Sequence, residues 1–189
     1  MEKVALYTER LVLEAPSSAE VDAITEACQD PEIQRRVPIP VPYTRREAEA
    51  YVTAYSDSGW TSGKSCTWAI KQHGDFTGAI SLDGIGADKA EIGYWMAPGF
   101  RGQGLLTEAA RAVVSFGLAD SPDGLGLTRI EWRAYAGNVA SARVARRLGF
   151  HFEGVLRLGV MGRLAREDDW VAGILVTDSR SPRPWSILA

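Results

Sequence analysis

Residues 91–109 contain the spacing that most clearly points to ligand chemistry. There an apolar stretch that ends at Met96 is joined to a helical pattern through the tetrapeptide Arg101-Gly102-Gln103-Gly104. The first amides of a helix have no partners within the helix, and the helix dipole adds positive potential beside them. Glycine lets an anion approach those amides without a Cβ in the way, so the junction suits a phosphate or pyrophosphate. An ordinary glycine-rich turn before a helix is the alternative for so short a motif.

Residues 138–154 contain a second pattern of polar and glycine residues. Asn138 and Ser141 stand at the start of a helical pattern that ends at Gly149-Phe150, and Glu153-Gly154 follows. Asparagine is a favoured helix N-cap residue. Gly149 is placed to end the helix, and Phe150 is placed for the hydrophobic contact of a Schellman-type cap.

Taken together, the two segments resemble the GNAT superfamily of N-acetyltransferases. Arg101, Gly104 and Leu106 occupy positions of its acetyl-CoA pyrophosphate loop, Arg/Gln-x-x-Gly-x-Gly/Ala, and Leu106 departs from the usual small residue. The Asn-x-x-Ser helix followed by Gly-Phe and Glu-Gly is similar to the ribosomal-protein N-terminal acetyltransferase (RimJ/RimL-like) branch. The resemblance covers roughly residues 6–178, and it implies one domain, residues 1–178, followed by a C-terminal tail of residues 179–189.

The resemblance implies that acetyl-CoA, or another acyl-CoA, is the cosubstrate. Three residues would face its pantetheine arm with their main chain: Tyr94, Trp95 and Met96. The loop would cradle the pyrophosphate through Arg101, Gly102, Gln103, Gly104, Leu105 and Leu106. Asn138 would bind the coenzyme arm, a role that is compatible with capping the helix.

The same resemblance indicates which side chains would take part in catalysis. Glu91, on the strand that leads to the loop, is a candidate general base, and a strand residue paired with a neighbouring cation is the alternative. Asp83 and Glu153 are further candidates, but Glu91 is the only carboxylate that we place near the thioester, with no second acid or histidine beside it. The branch's serine, which would assist the leaving thiolate, corresponds to Ser141, and Tyr135 is the alternative donor.

These residues predict an enzyme in which a primary amine attacks the thioester directly, without an acyl-enzyme. The acceptor stays open among a protein N-terminus, a lysine, a polyamine and an antibiotic. An α-amino group has a reference pKa of about 7.7–8.0 and a lysine amine one of about 10.4, so a single carboxylate suits the α-amine better. A non-catalytic domain that binds acyl-CoA and reports it to a partner is the alternative function. The family also leads us to expect a homodimer.

Residues 59–65 come close to a nucleotide-binding P-loop. The sequence Gly59-Trp-Thr-Ser-Gly63-Lys64-Ser65 has three residues between its glycines, where that motif has four. A P-loop is entered from a strand and left through a helix, whereas this segment is predicted to follow a helix and precede a strand. The sequence therefore argues against a nucleotide site.

The order of predicted elements indicates the fold class. Capping boxes at Ser17/Glu20 and Thr44/Glu47 begin two helices, and the proline-rich residues 37–42 between them form an extended connector. Strands are predicted at residues 11–13, 68–70, 76–82, 90–96, 130–133 and 170–176, and later helices at 106–116 and 139–148. This order predicts an α/β (α+β) fold, a single GNAT-type domain with a mixed, mostly antiparallel central sheet flanked by helices.

Composition limits the classes of function. The 189 residues are 46% hydrophobic and 24% charged, which fits one compact domain. A formal net charge of -3 gives no reason to expect binding to nucleic acid or to an anionic membrane. Cys28 and Cys66 cannot form a disulfide framework, and no Cys/His spacing is typical of zinc, so no metal is expected. Without a signal-peptide pattern or a run of about 18 apolar residues, we expect a cytoplasmic location.

Overall fold

A computed structural model describes residues 1–188 of the chain, and one mixed sheet forms its centre. The strands are β1 (Leu6–Tyr7), β2 (Val12–Glu14), β3 (Ser65–Gln72), β4 (Asp75–Gly86), β5 (Lys89–Met96), β6 (Arg129–Tyr135), β7 (His151–Met161) and β8 (Arg166–Leu175). They lie in the order β1-β2-β3-β4-β5-β6-β8-β7. Neighbouring strands are antiparallel except β5 and β6, which are parallel. The predicted fold class, an α/β (α+β) domain with a mixed, mostly antiparallel sheet, is confirmed.

Helices cover both faces of the sheet. They are α1 (Val21–Ala27), α2 (Pro31–Arg36), α3 (Arg45–Ala50), α4 (Ser58–Ser62), α5 (Leu105–Leu118) and α6 (Val139–Arg147). A π-helical stretch, Tyr51–Asp57, joins α3 to α4, so residues 45–62 form one helical segment. No helix in residues 1–188 is long and apolar enough to cross a membrane.

Each face of the sheet is buried by its own group of apolar side chains. The main core lies against α5 and α6 and includes Trp68, Ile80, Leu82, Ile92 and Trp132. The smaller core lies on the opposite face, between α1 to α3 and the side chains of Phe76 and Trp95. Successive side chains of a strand point to opposite faces. Glu91 and Gly93 therefore lie on the same face as Trp95 and away from the main core.

The capping patterns in the sequence form as predicted. Ser17 with Glu20, and Thr44 with Glu47, make complete capping boxes in which each side chain bonds the backbone of the other residue. Gly149 follows the last turn of α6 with a φ of 94°. Only glycine adopts that left-handed conformation without steric cost, which is why the helix ends there.

Three elements are absent from the sequence-based prediction: the two-residue strand β1, helix α2 and strand β7. Helix α2 has six residues, too few for a periodic pattern, although its Asp30 N-cap and Pro31 at the first helical position are ordinary start signals. Strand β7 carries register shifts on both sides of Leu156, and Leu158 has a φ of 52°. Such bulges disrupt the alternation of apolar and polar residues, so β7 has no clear strand pattern.

The C-terminal tail packs on the domain. Trp185 is 3% exposed, and its indole N–H donates to the Phe150 carbonyl at 3.0 Å. Its ring centroid lies 5.5 Å from that of Trp132 and 5.4 Å from that of Phe152. The sequence left open a loose tail or one docked on a neighbour, whereas the structure places Trp185 in the main core of its own chain. A large aromatic side chain is stabilised most where its apolar surface is buried, which accounts for this position.

Candidate functional site

Strands β5 and β6 separate part of the way along their length. Their Cα pairing ends at Ile92 and Trp132, although β5 continues to Met96 and β6 to Tyr135. Beyond that point β5 is bonded only to β4, and β6 only to β8. We call this gap the β5–β6 opening. The backbone groups of residues 93–96 that face it have no strand partner, so all but the Met96 carbonyl, which accepts from Arg101, can bond an extended ligand.

A cavity of about 1390 Å³ extends from the β5–β6 opening over the face of the sheet that carries Glu91. We call it the cleft. Residues of β4, β5 and β6 form its floor: Ala79, Ser81, Asp83, Glu91, Gly93, Trp95, Arg133 and Tyr135. Other elements form its walls: Arg36, Ile39, Tyr43, Tyr51, Tyr55, Met161 and Arg166. Small-molecule sites commonly have about 300–1,000 Å³, so this cleft has room for parts of two substrates.

Only part of the predicted site lines the cleft. Its lining includes six of the predicted residues: Glu91, Tyr94, Trp95, Tyr135, Asn138 and Ser141. Met96 and residues 101–106 lie outside the lining, where β5 ends and the chain turns into α5. The site therefore consists of a loop at one end of the β5–β6 opening and a cleft at the other.

The loop has a backbone that an anion can approach closely. Gly102 and Gly104 have φ values of 75° and 78°. A Cβ on Gly102 would meet no atom within 4 Å, and one on Gly104 would meet Arg10 Nη2 at 3.7 Å. The first helical bond of α5 runs from the Glu108 amide to the Gly104 carbonyl at 3.1 Å. The amides of residues 105–107 precede that bond, so they are available at the positive end of the helix dipole.

Two loop side chains point away from the unbonded amides at the start of α5. Arg101 pairs with Asp30 at 2.7 Å, and its Nε donates to the Met96 carbonyl at 3.1 Å. Arg101 would thus contribute its main chain to the site and not its guanidinium. Leu106 packs against the main core, so the departure from a small residue directs its bulk into the interior of the protein.

Glu91 lies on the floor of the cleft without a bonded partner. In residues 1–188 its carboxylate accepts no hydrogen bond. Burial raises the pKa of Glu91, the positive charge of Arg133 opposes the rise, and the negative charge of Asp83 adds to it. Arg133 is itself bonded to the buried carboxylate of Asp169, with its Nε at 2.7 Å from Oδ2. A carboxylate with a raised pKa is a better proton acceptor than an ordinary one.

Asp83 lies directly opposite Glu91 in the register of β4 and β5. The Tyr55 hydroxyl donates to Asp83 Oδ1 at 2.7 Å, and the Ser81 hydroxyl donates to Oδ2 at 2.6 Å. The prediction that no second acid lies beside Glu91 is therefore wrong. A register shift between Asp83 and Gly86 sets this pairing, and a sequence pattern does not reveal such a shift.

Asn138 and Ser141 begin α6 beside the β5–β6 opening. Asn138 Oδ1 accepts from the Ser141 amide at 3.3 Å, which confirms its role as the N-cap. The Tyr94 hydroxyl donates to the Ser141 carbonyl at 3.0 Å, and burial raises the pKa of Tyr94, so this donor stays protonated. Trp132 Nε1 donates to Ser141 Oγ at 3.0 Å. The Ser141 hydroxyl also lies close to the Tyr94 hydroxyl, but it donates no hydrogen bond of regular geometry in residues 1–188, so its proton can serve another acceptor.

Tyr135 closes the cleft on the side of the β7–β8 hairpin. Its hydroxyl donates to the Met161 carbonyl at 3.1 Å, and the Arg35 guanidinium lies 5.6 Å from its ring centroid. Arg35 also pairs with Glu167 at 2.7 Å. These contacts join the end of α2 to the hairpin. Tyr135 can donate to a substrate only after it gives up its bond to Met161.

The remaining candidates from the sequence lie elsewhere. Glu153 is paired with Arg129 through two bonds of 2.7 and 2.6 Å and is not part of the cleft lining. Gly63 ends α4 with a φ of 70°, and β3 follows, so residues 59–65 run from helix to strand, opposite to a P-loop. In the part of the chain that the structure describes, no group of three or more His, Cys, Asp or Glu side chains could hold a metal ion.

The chain is similar to known proteins in sequence and in structure. Residues 10–151 match the family described as Acetyltransferase (GNAT) domain. YdaF of Bacillus subtilis (strain 168), provisionally named as a ribosomal N-acetyltransferase, is 38% identical over 89 residues, 46% of each chain. The uncharacterized N-acetyltransferase p20 of Bacillus licheniformis is 28% identical over 157 residues, 80% of this chain and 85% of p20. The match thus spans less than half the length of YdaF but most of p20.

Solved structures agree with the fold. RimL, described as ribosomal L7/L12 alpha-N-protein acetyltransferase in complex with coenzyme A, has a TM-score of 0.81 at 22% identity, covering 91% of this chain and 98% of RimL. RimJ of Mycobacterium smegmatis, in complex with CoA-disulfide, has a TM-score of 0.80 at 20% identity, covering 92% and 86%. At these identities the likeness establishes the fold.

Proposed function

This chain belongs to the acetyltransferase (GNAT) domain family, and we propose that it transfers an acyl group, acetyl from acetyl-CoA in the first place, to a primary amine. The β5–β6 opening is the observation that carries the proposal. It lies between the anion-binding start of α5 and the cleft that contains Glu91. A ligand with an anionic end and an extended arm fits this arrangement, and the reacting end of that arm would lie beside a proton acceptor.

The residues around the opening suit an acyl-CoA in three respects. The amides at the start of α5 and the two left-handed glycines suit a pyrophosphate. The free edge of β5 at residues 93–96 suits the amides of the pantetheine arm. Asn138 uses its Oδ1 as the helix cap and keeps its side-chain NH₂ group for the same arm. When bound, an acyl-CoA supplies a thioester, whose carbonyl carbon is the electrophile.

Two side chains take part in the proposed reaction. Glu91 accepts the proton of the incoming amine, a role that its raised pKa supports. Ser141 donates a hydrogen bond to the sulfur as the C–S bond breaks and negative charge develops there. We favour Ser141 over Tyr135 because the Ser141 hydroxyl donates no hydrogen bond of regular geometry in residues 1–188, whereas the Tyr135 hydroxyl donates to the Met161 carbonyl.

We propose the α-amino group of a peptide as the acceptor. Near pH 7 roughly a tenth of α-amines with a pKa of about 7.7–8.0 are neutral, compared with well under a thousandth of lysine amines. A carboxylate remains a much weaker base than a lysine amine even when a second acid raises its pKa. YdaF and RimL are named for ribosomal substrates, which supports a protein N-terminus as the acceptor.

A pair of matched peptides tests this proposal. One has a free N-terminus and a blocked lysine, the other a blocked N-terminus and a free lysine, and the assay measures release of free thiol from acetyl-CoA. We expect kcat/KM to be at least about tenfold higher for the free N-terminus. Equal or faster acylation of the lysine peptide would refute the preference. Binding of acetyl-CoA without thiol release, with the peptides and with a panel of small amines, would instead indicate a non-catalytic acyl-CoA-binding domain.

The cellular context of the enzyme stays a prediction. We expect a homodimer from the family resemblance, and we expect a cytoplasmic location. Light scattering on a gel-filtration column measures the oligomeric state directly.

A further inference from the structure

Both backbone polar groups of Ser141 form hydrogen bonds with side chains from other parts of the chain. Its amide donates to the N-cap Asn138 at 3.3 Å, and its carbonyl accepts from Tyr94 of β5 at 3.0 Å. Its Oγ accepts from Trp132 of β6 at 3.0 Å. Its hydroxyl lies close enough to the Tyr94 hydroxyl to interact with it but donates no hydrogen bond of regular geometry within residues 1–188, so the proton is the part of the side chain left for a substrate.

The bond from Trp132 determines how the Ser141 hydroxyl is used. An indole N–H is a donor only, so Ser141 Oγ must act as the acceptor in this bond. A serine near the start of a helix can otherwise turn its hydroxyl to a backbone carbonyl about four residues earlier, where its proton would be lost to a ligand. In the structure the Ser141 hydroxyl donates to no backbone carbonyl within residues 1–188. Trp132 thus holds Oγ in the rotamer that faces it.

Trp132 also occupies the point where the two parallel strands separate. It is the last residue of β6 that pairs with β5, at Ile92, and its side chain is 1% exposed. Packing against Trp185 and the main core restricts the ring, so the direction of its N–H is fixed by the fold. A ring needed for packing alone would not require the N–H, which here has Ser141 as its partner.

We propose that Trp132 is a positioning residue for the acyl transfer, because its indole N–H directs the Ser141 hydroxyl proton into the β5–β6 opening. The inference rests on the proposed function, in which Ser141 donates to the departing sulfur. The amine nitrogen forms the C–N bond, the C–S bond breaks with its electron pair on sulfur, and Glu91 and solvent take the amine protons. Trp132 and Ser141 make and break no covalent bond, and they act through hydrogen bonds alone.

A double-mutant cycle of Trp132→Phe and Ser141→Ala tests the inference. Ser141→Ala should lower kcat about 10-fold to 100-fold, since it removes a hydrogen bond to a developing charge. Trp132→Phe should lower kcat about 3-fold to 10-fold, because an unguided hydroxyl still donates part of the time. Both variants should leave KM for acetyl-CoA within about twofold. In the Ser141→Ala background, Trp132→Phe should change kcat by less than about 1.5-fold.

Trp185→Phe is the matched control. It removes the same kind of N–H bond, the one to the Phe150 carbonyl, from a ring that packs against Trp132. Its kcat should stay within about twofold of the wild type. If Trp132→Phe fails to fold, benzothienyl-alanine at position 132 keeps the shape of indole and replaces the N–H by sulfur.

The possible outcomes distinguish the role of Trp132 from that of Ser141. An equal loss from Trp132→Phe in both backgrounds would overturn the positioning role while leaving Ser141 as the donor. Unchanged kcat in Ser141→Ala would remove Ser141 from the reaction, and the inference about Trp132 would fail with it. A loss that appears only when Ser141 is present supports the inference.

Discussion

Replacement of Gly104 by valine is the most direct test of the loop. Gly104 is the residue before α5 and has a φ of 78°, in the left-handed region. A β-branched side chain is strongly disfavoured in that region. A Cβ there would meet little of the protein, with only Arg10 Nη2 at 3.7 Å. The expected effect is therefore on the backbone conformation of the loop and not on the packing of the core.

The size of the effect follows from the backbone strain. A left-handed conformation costs a residue with a Cβ about 1–2 kcal/mol relative to glycine. If the loop relieves the strain by leaving this conformation, the competent population falls about 5-fold to 30-fold. The apparent dissociation constant for coenzyme A rises by the same factor, because it is inversely proportional to that population. The valine side chain also stands where an anion would approach the amides, so at least about a tenfold loss is expected.

Titration calorimetry with coenzyme A measures this dissociation constant, and Gly126→Val is a matched control. Gly126 has a φ of 64°, its added Cβ would meet no atom within 4 Å, and it is not part of the cleft lining. Gly126→Val should therefore introduce similar backbone strain at a position away from the proposed site. We expect both variants to lose similar stability and only Gly104→Val to lose coenzyme affinity. An unchanged dissociation constant in a folded Gly104→Val would exclude the loop from the coenzyme site.

Two further predictions concern Glu91 and the C-terminal tail. Glu91→Gln should lower kcat/KM most at pH values below the pKa of the acceptor amine, where a base is most needed. Since burial raises the folded pKa of Glu91 above the unfolded value of about 4.3, ionised Glu91 destabilises the fold above that folded pKa. Glu91→Gln should therefore raise Tm at pH 8, and the gain should shrink towards pH 4; a lower Tm at pH 8 would contradict the assignment. Trp185→Ala should lower the free energy of unfolding by about 3–5 kcal/mol, measured by urea denaturation, and an unchanged midpoint would show that the tail is dispensable.

The parts of the fold with strong local patterns could be predicted from the sequence. The capping boxes at Ser17 and Thr44 and the glycine at position 149 act over a few residues, so neighbouring sequence is enough to recognise them. The same holds for the strand-to-helix junction at residues 96–105, where glycine, helix start and apolar strand are contiguous. These features depend on the residue types at a few neighbouring positions, which can be identified directly in the sequence.

The parts that depend on register could not be predicted. Asp83 faces Glu91 only because of the register shift between Asp83 and Gly86, and the chain between Asp83 and Glu91 gives no periodic signal. Trp132 reads as an ordinary core residue in the pattern of β6, and its bond to Ser141 appears only when α6 is packed beside it. The residues that line the cleft are close in space but separated in the sequence. The sequence therefore indicates candidate residues, and the fold determines which of them are in contact.

The β5–β6 opening connects the stability of the sheet to ligand binding. β5 and β6 each keep a full ladder with their outer neighbours, β4 and β8, so their separation costs only the bonds between the two strands. Main-chain groups are obligatory donors and acceptors, and an extended ligand that bonds those of residues 93–96 facing the opening, the Met96 carbonyl excepted, replaces the missing strand. A ligand that binds only the folded state stabilises it by RT ln(1 + [L]/Kd), about 2.7 kcal/mol at a hundredfold excess over Kd. The fold thus has a local weakness at Ile92 and Trp132, the last pair of the ladder, and a coenzyme bound there, as we propose, would offset it.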